Sequence, residues 1–208
     1  MAWAPAYATV DELRSFIADG STGSDTELAL AIEAASRSVD RICNRQFGMT
    51  DAPQTRTYAA QYDHITSAFG PARCWGGPHR RWVIEIDDLM TVDGLVVQTN
   101  DGATITDYLP APVNAVLGGR PWTKLLLGQG VSIPPGAQVV VTGTFGWSAV
   151  PDTIKLATLI QASRLFARRH APFGIAGDPQ VGQMRLLERL DVDLATSVQP
   201  YVRTWGAV

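Results

Sequence analysis

Glycine and proline are distributed so unevenly along this chain that they divide it before any periodicity is counted. They are sparse in the first forty-odd residues, dense from Gly48 to Pro151, and absent again until Pro172. In a helix interior glycine costs about 1 kcal/mol and proline about 3 kcal/mol relative to alanine, so runs without them favour helix and runs dense in them favour turns. The pattern predicts helix, then sheet, then helix. The expected fold class is α+β, a helical core built from the two arms with an inserted antiparallel β-sheet or small β-sandwich. The expected divisions are an N-terminal helical arm at 1–48, a β-rich insert at 49–150, and a C-terminal helical arm with a docking tail at 151–208, packing with the first arm.

Composition narrows the class. The chain has 208 residues, 46% hydrophobic and 18% charged, with 17 basic against 20 acidic side chains. A body of this size buries about 70% of its unfolded surface and needs no disulfide or metal staple. The two cysteines, Cys43 and Cys74, are too far apart for a CxxC pair and fit a reducing compartment. The opening MAWAPAYATV has no basic start followed by an apolar core, and no uncharged apolar run reaches the ~18 residues of a membrane span. The expectation is a chain that neither enters nor crosses a bilayer. A sequence pI near 5.5 disfavours tight, sequence-independent binding to nucleic acid, which rests on neutralising phosphates, though it leaves room for a local basic face.

Thr9-Val10-Asp11-Glu12 reads as a capping box that opens a short helix with Val10, Leu13, Phe16 and Ile17 on one face and a stop at Asp19-Gly20. Ser24-Asp25-Thr26-Glu27 repeats the signal. Leu28, Ile32, Ala35, Val39 and Ile42 then hold one apolar stripe in a second helix, which should end near Phe47-Gly48. Strands are expected at Arg56 to Gln61, Arg81 to Ile86, Leu95 to Thr99, Ile105 to Leu109, Lys124 to Leu127 and Gln138 to Thr144, with turns at Asn100-Asp101-Gly102 and Pro134-Pro135-Gly136. Such short spacings suit antiparallel pairing. A third helix should start at Pro151-Asp152 and run to about His170. Ile154, Leu156, Ala157, Leu159, Ile160, Leu165 and Phe166 cover most of it, leaving a thin strip of Lys155, Thr158, Gln161, Arg164 and Arg168, so it needs partners on more than one side. A glycine loop from Ala171 to Gly182, a run from Gln183 to Leu190 that is either strand or helix, and a short helix from Asp191-Val192-Asp193 lead to Pro200 and the tail.

Catalytic signatures are missing. His64, His79 and His170 share no metal-ligand spacing, and no GxSxG, GxxxxGK[ST] or GxGxxG occurs. Two carboxylate groups, Glu85/Asp87/Asp88 and Asp191/Asp193, could hold a divalent ion or act as acid and base. The plainer reading is a strand end for the first and a helix N-terminus for the second. The sequence therefore predicts no catalytic residues, no metal and no cofactor.

Charge and apolar surface for partners are present. Glu33, Arg37, Arg41 and Arg45 recur at four-residue steps along the second helix, and Arg164, Arg168, Arg169 and His170 gather at the end of the third. These are either solvated faces compensating helix dipoles or surfaces that dock an acidic partner or DNA. An exposed pair is worth at most about 1 kcal/mol, so only an assembly repeating the patch gains much. Tyr201, Val202, Trp205 and Val208 crowd apolar surface into a chain end. Burying two such aromatics yields on the order of 8 to 12 kcal/mol gross, and ordering eight residues costs about as much. The tail either docks into a neighbour or partner, or packs on its own domain.

The segments YATVDELRSFI, ELALAIEAASRSVDRICNRQF, GTFGWSAVPDTIKLATLIQASRLFARRHAPFGIAG and DVDLATSVQPYV, in that order, resemble the head-tail connector family, also called adaptor or head-completion proteins, of tailed bacteriophages with siphophage-like necks. The likeness lies in a helix with Asp-Arg near its end, a β-rich insert closing in G-x-x-G-W-x-x-V-P, and a long helix finishing in Arg-Arg before a glycine loop. The insert here, about Met49 to Val150, is longer than in minimal members. The resemblance implies a non-enzymatic virion protein made in the host cytoplasm and placed in the neck between capsid and tail. It implies a ring, typically of twelve copies, beneath the portal protein, with a stopper or tail-terminator protein below and a channel through which DNA passes without sequence-specific binding. On that reading Arg37, Arg41, Arg45, Arg164, Arg168, Arg169, Tyr201 and Trp205 are the candidate partner contacts, with the third helix between subunits and the tail on the portal. Alternatives are a stopper or tail-completion neck protein and, from another class, a hydrolase using Glu85, Asp87 and Asp88.

Overall fold

The computed structural model describes residues 4–17, 23–64, 80–134, 136–168, 175–176, 184–185 and 192–204. The fold is α+β, with helices and an antiparallel six-stranded curled sheet. The chain divides into two compact units, one of residues 1–48 with 149–208 and one of residues 49–148.

In the first unit, α1 (Val10–Ile17) and α2 (Asp25–Cys43) both begin at capping boxes. Thr9 Oγ1 accepts from the Glu12 amide at 3.2 Å while Glu12 reaches back to the Thr9 amide at 2.8 Å. Ser24 and Glu27 repeat the exchange at 3.3 and 3.0 Å, which satisfies amide groups that no helical turn can reach. The second helix stops four residues before the expected Phe47. Asn44 takes a left-handed conformation at φ 52° and its amide closes on the Asp40 carbonyl, a helix-ending geometry that asparagine tolerates better than most residues. Arg45 therefore lies beyond the helix and does not extend the arginine row. The third helix, α3 (Asp152–Arg168), starts one residue after Pro151, whose carbonyl accepts from Lys155 at 3.0 Å.

Leu13, Leu28, Ala31, Ile32, Ala35, Leu159, Ala162 and Phe166 form one core between these helices. Alanines at the facing positions let helix axes approach, and Gly23 admits the Phe166 ring, since a Cβ there would sit 2.4 Å from it. Thr158 is fully buried rather than part of a polar strip, its hydroxyl donating to the Ile154 carbonyl at 2.9 Å. A short α4 (Val192–Val198) and a 3-10 turn (Gln199–Tyr201) follow. Of the ambiguous run after Gly182, residues Met184–Arg185 form a strand pairing with Ile175–Ala176.

In the second unit the strands are β1 (Gln54–His64), β2 (Arg80–Leu89), β3 (Val96–Thr99), β4 (Tyr108–Ala111), β5 (Trp122–Leu127) and β6 (Gln138–Gly143), in the order β3-β6-β1-β2-β5-β4. The first half of β1 pairs with β6 and the second half with β2. One long strand thus serves two ladders, and Ile84, Ile86, Leu89, Leu125, Leu127, Val97, Val139, Val141 and Phe145 from both fill one core. Gly102 at φ 88° makes the expected turn after β3, with its amide on the Thr99 carbonyl. Of the strand expected at Ile105 to Leu109, only Tyr108 and Leu109 lie in a strand, the start of β4. Ile105 caps β3 through a single bond to Val97, and the chain then crosses to the opposite edge, where β4 pairs with β5. The edge position accommodates Pro110, which has no amide to donate.

Candidate interaction surfaces

The arginines predicted as one row do three different things. Arg37 turns inward: its Nε lies 2.9 Å from Asp40 Oδ2, its Nη2 donates to the Pro5 carbonyl at 2.6 Å, and its guanidinium sits 5.7 Å from the Tyr7 ring centroid. Arg41 is exposed and Arg45 half-buried. Arg164 and Arg168 are half-buried near the end of α3, and Arg169, Trp205, His79, His170, Cys74 and the Asp19-Gly20 stop lie outside the described residues. The expected face from Glu33 to Arg45 is thus not a continuous solvated row, because one member is drawn into the core edge and another has left the helix.

What draws Arg37 inward is a polar junction that sequence periodicity did not reveal. The buried Tyr7 hydroxyl donates to Asp40 and accepts the Phe47 amide at 2.8 Å, while the Tyr7 amide donates to Ser36 Oγ at 3.1 Å. Burial raises the Asp40 carboxyl above its usual range against the opposing pull of Tyr7, Arg37 and Gln46. Burial, then the Asp40 bond, pushes the Tyr7 hydroxyl up as well and keeps it a donor. Phe47 packs edge-on against both Tyr7 and Tyr201, at 5.7 and 5.9 Å between centroids. The Arg203 amide donates to the Cys43 carbonyl at 2.8 Å and Asn44 Nδ2 to the Arg203 carbonyl at 3.3 Å. Tyr201 and the chain as far as Arg203 are therefore seated on the end of α2 of the same chain. Cys43 is fully buried there, its thiol pushed up to about 11 by burial, and so kept from thiolate chemistry.

The three clustered carboxylates of β2 do not converge. Glu85 pairs with Lys124 at 2.9 Å, and Asp87 with Arg56 at 2.7 Å and the Tyr58 hydroxyl at 2.8 Å. Asp88 points the other way, 5% exposed, and accepts Trp147 Nε1 at 2.8 Å. The alternation of a strand causes this split, because Ile84, Ile86 and Asp88 share the buried face while Glu85 and Asp87 lie on the other. Each carboxylate already has a cation or donor, and among the described residues no three His, Cys, Asp or Glu side chains gather as a metal site would require. Among the same residues no helix is long and apolar enough to cross a membrane.

Exposed apolar side chains are the other resource. Leu30 on α2 is 66% exposed and Leu156 on α3 is 50% exposed. Leu117, on a 3-10 turn after β4, is 87% exposed. Sequence reading noted Leu156 only as part of an all-round apolar helix. Leu30 lies on the face of α2 opposite the stripe of Leu28, Ile32 and Ala35, where an apolar side chain stands out in the sequence against the polar neighbours of that face.

No protein-family model matches the sequence, and no curated protein matches it. Among solved structures, the chain is similar to one from the neck of an empty GTA (gene transfer agent) particle, computed with C6 symmetry. The TM-score is 0.50 at 17% sequence identity, over 100% of this chain and 96% of that one. At that identity the likeness is one of fold.

Proposed function

We propose that this chain is a structural, non-enzymatic neck protein of a tailed-phage-like particle, an adaptor subunit repeated around a channel between capsid and tail. What carries the reading is correspondence along the whole chain, both units included, with a chain from a particle neck. The order of sequence segments that resembles head-tail connectors supports it independently. The six-fold symmetry of that neck accommodates a ring of twelve. The portal above, the stopper or tail-terminator below and DNA passing between them are the partners this reading assigns. A mildly acidic chain suits a channel in which DNA must slide rather than stick.

The partner contacts it assigns are Arg41 on α2, Arg164 and Arg168 on α3, and the chain end beyond Thr204. Tyr201 contributes by holding the root of that tail against Phe47. The test is co-expression with the portal protein from the same genome. The full chain should co-purify with portal as a ring complex, and truncation after Thr204 should leave the subunit folded while portal co-purification is lost. Full recovery of portal by the truncated chain would move the contact elsewhere, and no association by either form would remove the adaptor reading.

A further inference from the structure

The outward faces of α2 and α3 are unlike in sequence but matched in chemistry. On α2, Leu30, Ala34, Ser38 and Arg41 recur along one side, with Leu30, Ala34 and Arg41 exposed and Glu33 exposed beside them. On α3, Leu156, Ile160, Ser163 and Ala167 recur at steps of four, three and four, opposite the buried Ile154, Ala157, Thr158 and Ala162. Both serines are already satisfied within their own helices. Ser38 donates to the Ala34 carbonyl at 2.9 Å and Ser163 to the Ile160 carbonyl at 2.8 Å. Covering either stripe therefore strands no hydroxyl donor, which removes the usual penalty of about 1–3 kcal/mol for burying one unpaired.

We infer that the α2 face of one subunit packs antiparallel on the α3 face of a second copy of this chain. The inference rests on the ring reading and names the surfaces that would close it. Charge selects the occupant and the direction. With Leu30 at the level of Ala167 and Ala34 at the level of Ser163, Glu33 comes to the level of Arg164. Arg41 falls one turn from Asp152, which is exposed at the start of α3. A parallel arrangement instead brings Asp25 and Glu27 toward Asp152, and Arg41 toward Arg168, so like charges meet at both ends. Antiparallel packing also opposes the two helix dipoles. Two different faces on one chain make a head-to-tail contact, which propagates and closes into a ring when the rotation permits. One helix pair falls short of the ~800 Å² per partner typical of a stable interface, so the contact gains weight only when every copy makes it twice.

The experiment is disulfide trapping on the full-length chain in a Cys74→Ser background, with Cys43 buried. Leu30→Cys combined with Ala167→Cys should give, on mild oxidation, a ladder of dimers, trimers and larger species. Either single variant should remain monomeric under denaturing conditions, since a head-to-tail contact never brings a residue against its own copy. In the uncrosslinked protein, Arg41→Glu should weaken self-association by about three- to tenfold and Asp152→Arg added to the same chain should restore it. Thermal unfolding of these surface variants should match the parent. Oligomers that form without the ladder would overturn this pairing and leave the ring reading standing. A parent chain that does not assemble even when co-expressed with the portal would overturn both.

Discussion

Tyr7 is the residue on which the ends of the first unit depend. Its hydroxyl is donor to Asp40 and acceptor to Phe47, so Tyr7→Phe leaves a buried carboxylate short of a donor and a buried amide short of an acceptor. The expected loss is about 1–3 kcal/mol by urea unfolding. Its pH dependence has a definite sign. Asp40 has a raised carboxyl, so the folded state binds its proton more readily than the unfolded chain, and the Asp40 contribution falls as pH rises from about 4 toward neutrality. Removing the Tyr7 bond raises that carboxyl further. The gap between variant and parent should be widest near pH 7 and narrow toward pH 4, and a gap independent of pH would detach Tyr7 from Asp40. Gly23→Ala drives a methyl into the Phe166 ring and should cost about 1–3 kcal/mol, whereas the exposed neighbour Thr26→Ala should change little. Trp147→Phe should cost about 1–3 kcal/mol through the stranded Asp88. None of these three environments was legible in the sequence. Tyr7 and Asp40 are separated by 33 positions, and although Asp88 continues the inward alternation of Ile84 and Ile86, its partner Trp147 lies 59 positions away.

At the level of elements, what the sequence encodes locally was readable. Both capping boxes, the α2 stripe from Leu28 to Val39 and the glycine turn after β3 appear as their residues demand, since each depends on neighbours within one or two turns. Elements set by distant partners were not. The strand expected at Ile105 to Leu109 starts three residues later, as β4 at Tyr108–Ala111, because pairing with β5 decides where that edge strand begins. The end of α2 was placed near Phe47 by the apolar pattern, yet Asn44 closes it and then ties down Arg203. That gives Asn44 a double role. Asn44→Ala should cost about 1–2 kcal/mol, the left-handed penalty for a residue with a Cβ, and Asn44→Gly should recover most of it. Equal destabilisation by both would mean the side-chain bond to Arg203 outweighs the backbone conformation. The arginine row illustrates the same limit for sites: the pairing of Arg37 with Asp40 is a local contact three residues along one helix, but only tertiary structure brings the Pro5 carbonyl and the Tyr7 ring to Arg37 and leaves Arg41 outside.

For the whole molecule, the two units each own a core, and the fragment 49–148 should fold by itself with a cooperative thermal transition and a β-type circular dichroism spectrum. A fragment that gives no transition would mean its core needs the helical arms. What the pieces add up to is a chain whose β2 carboxylates are occupied by structural partners, whose residues Tyr201 to Arg203 are seated on the end of α2, and whose leucines at 30 and 156 are left facing outward. Such surfaces gain by repetition, since a contact too weak for a pair becomes stable when every copy makes it on both sides. The most direct measurement is the mass and symmetry of the assembly formed with the portal, by mass photometry and electron microscopy. The account predicts a closed ring of this 22.4 kDa chain, twelve copies around an open channel. A lone subunit bound to one side of the portal, or no bound subunit at all, would contradict it.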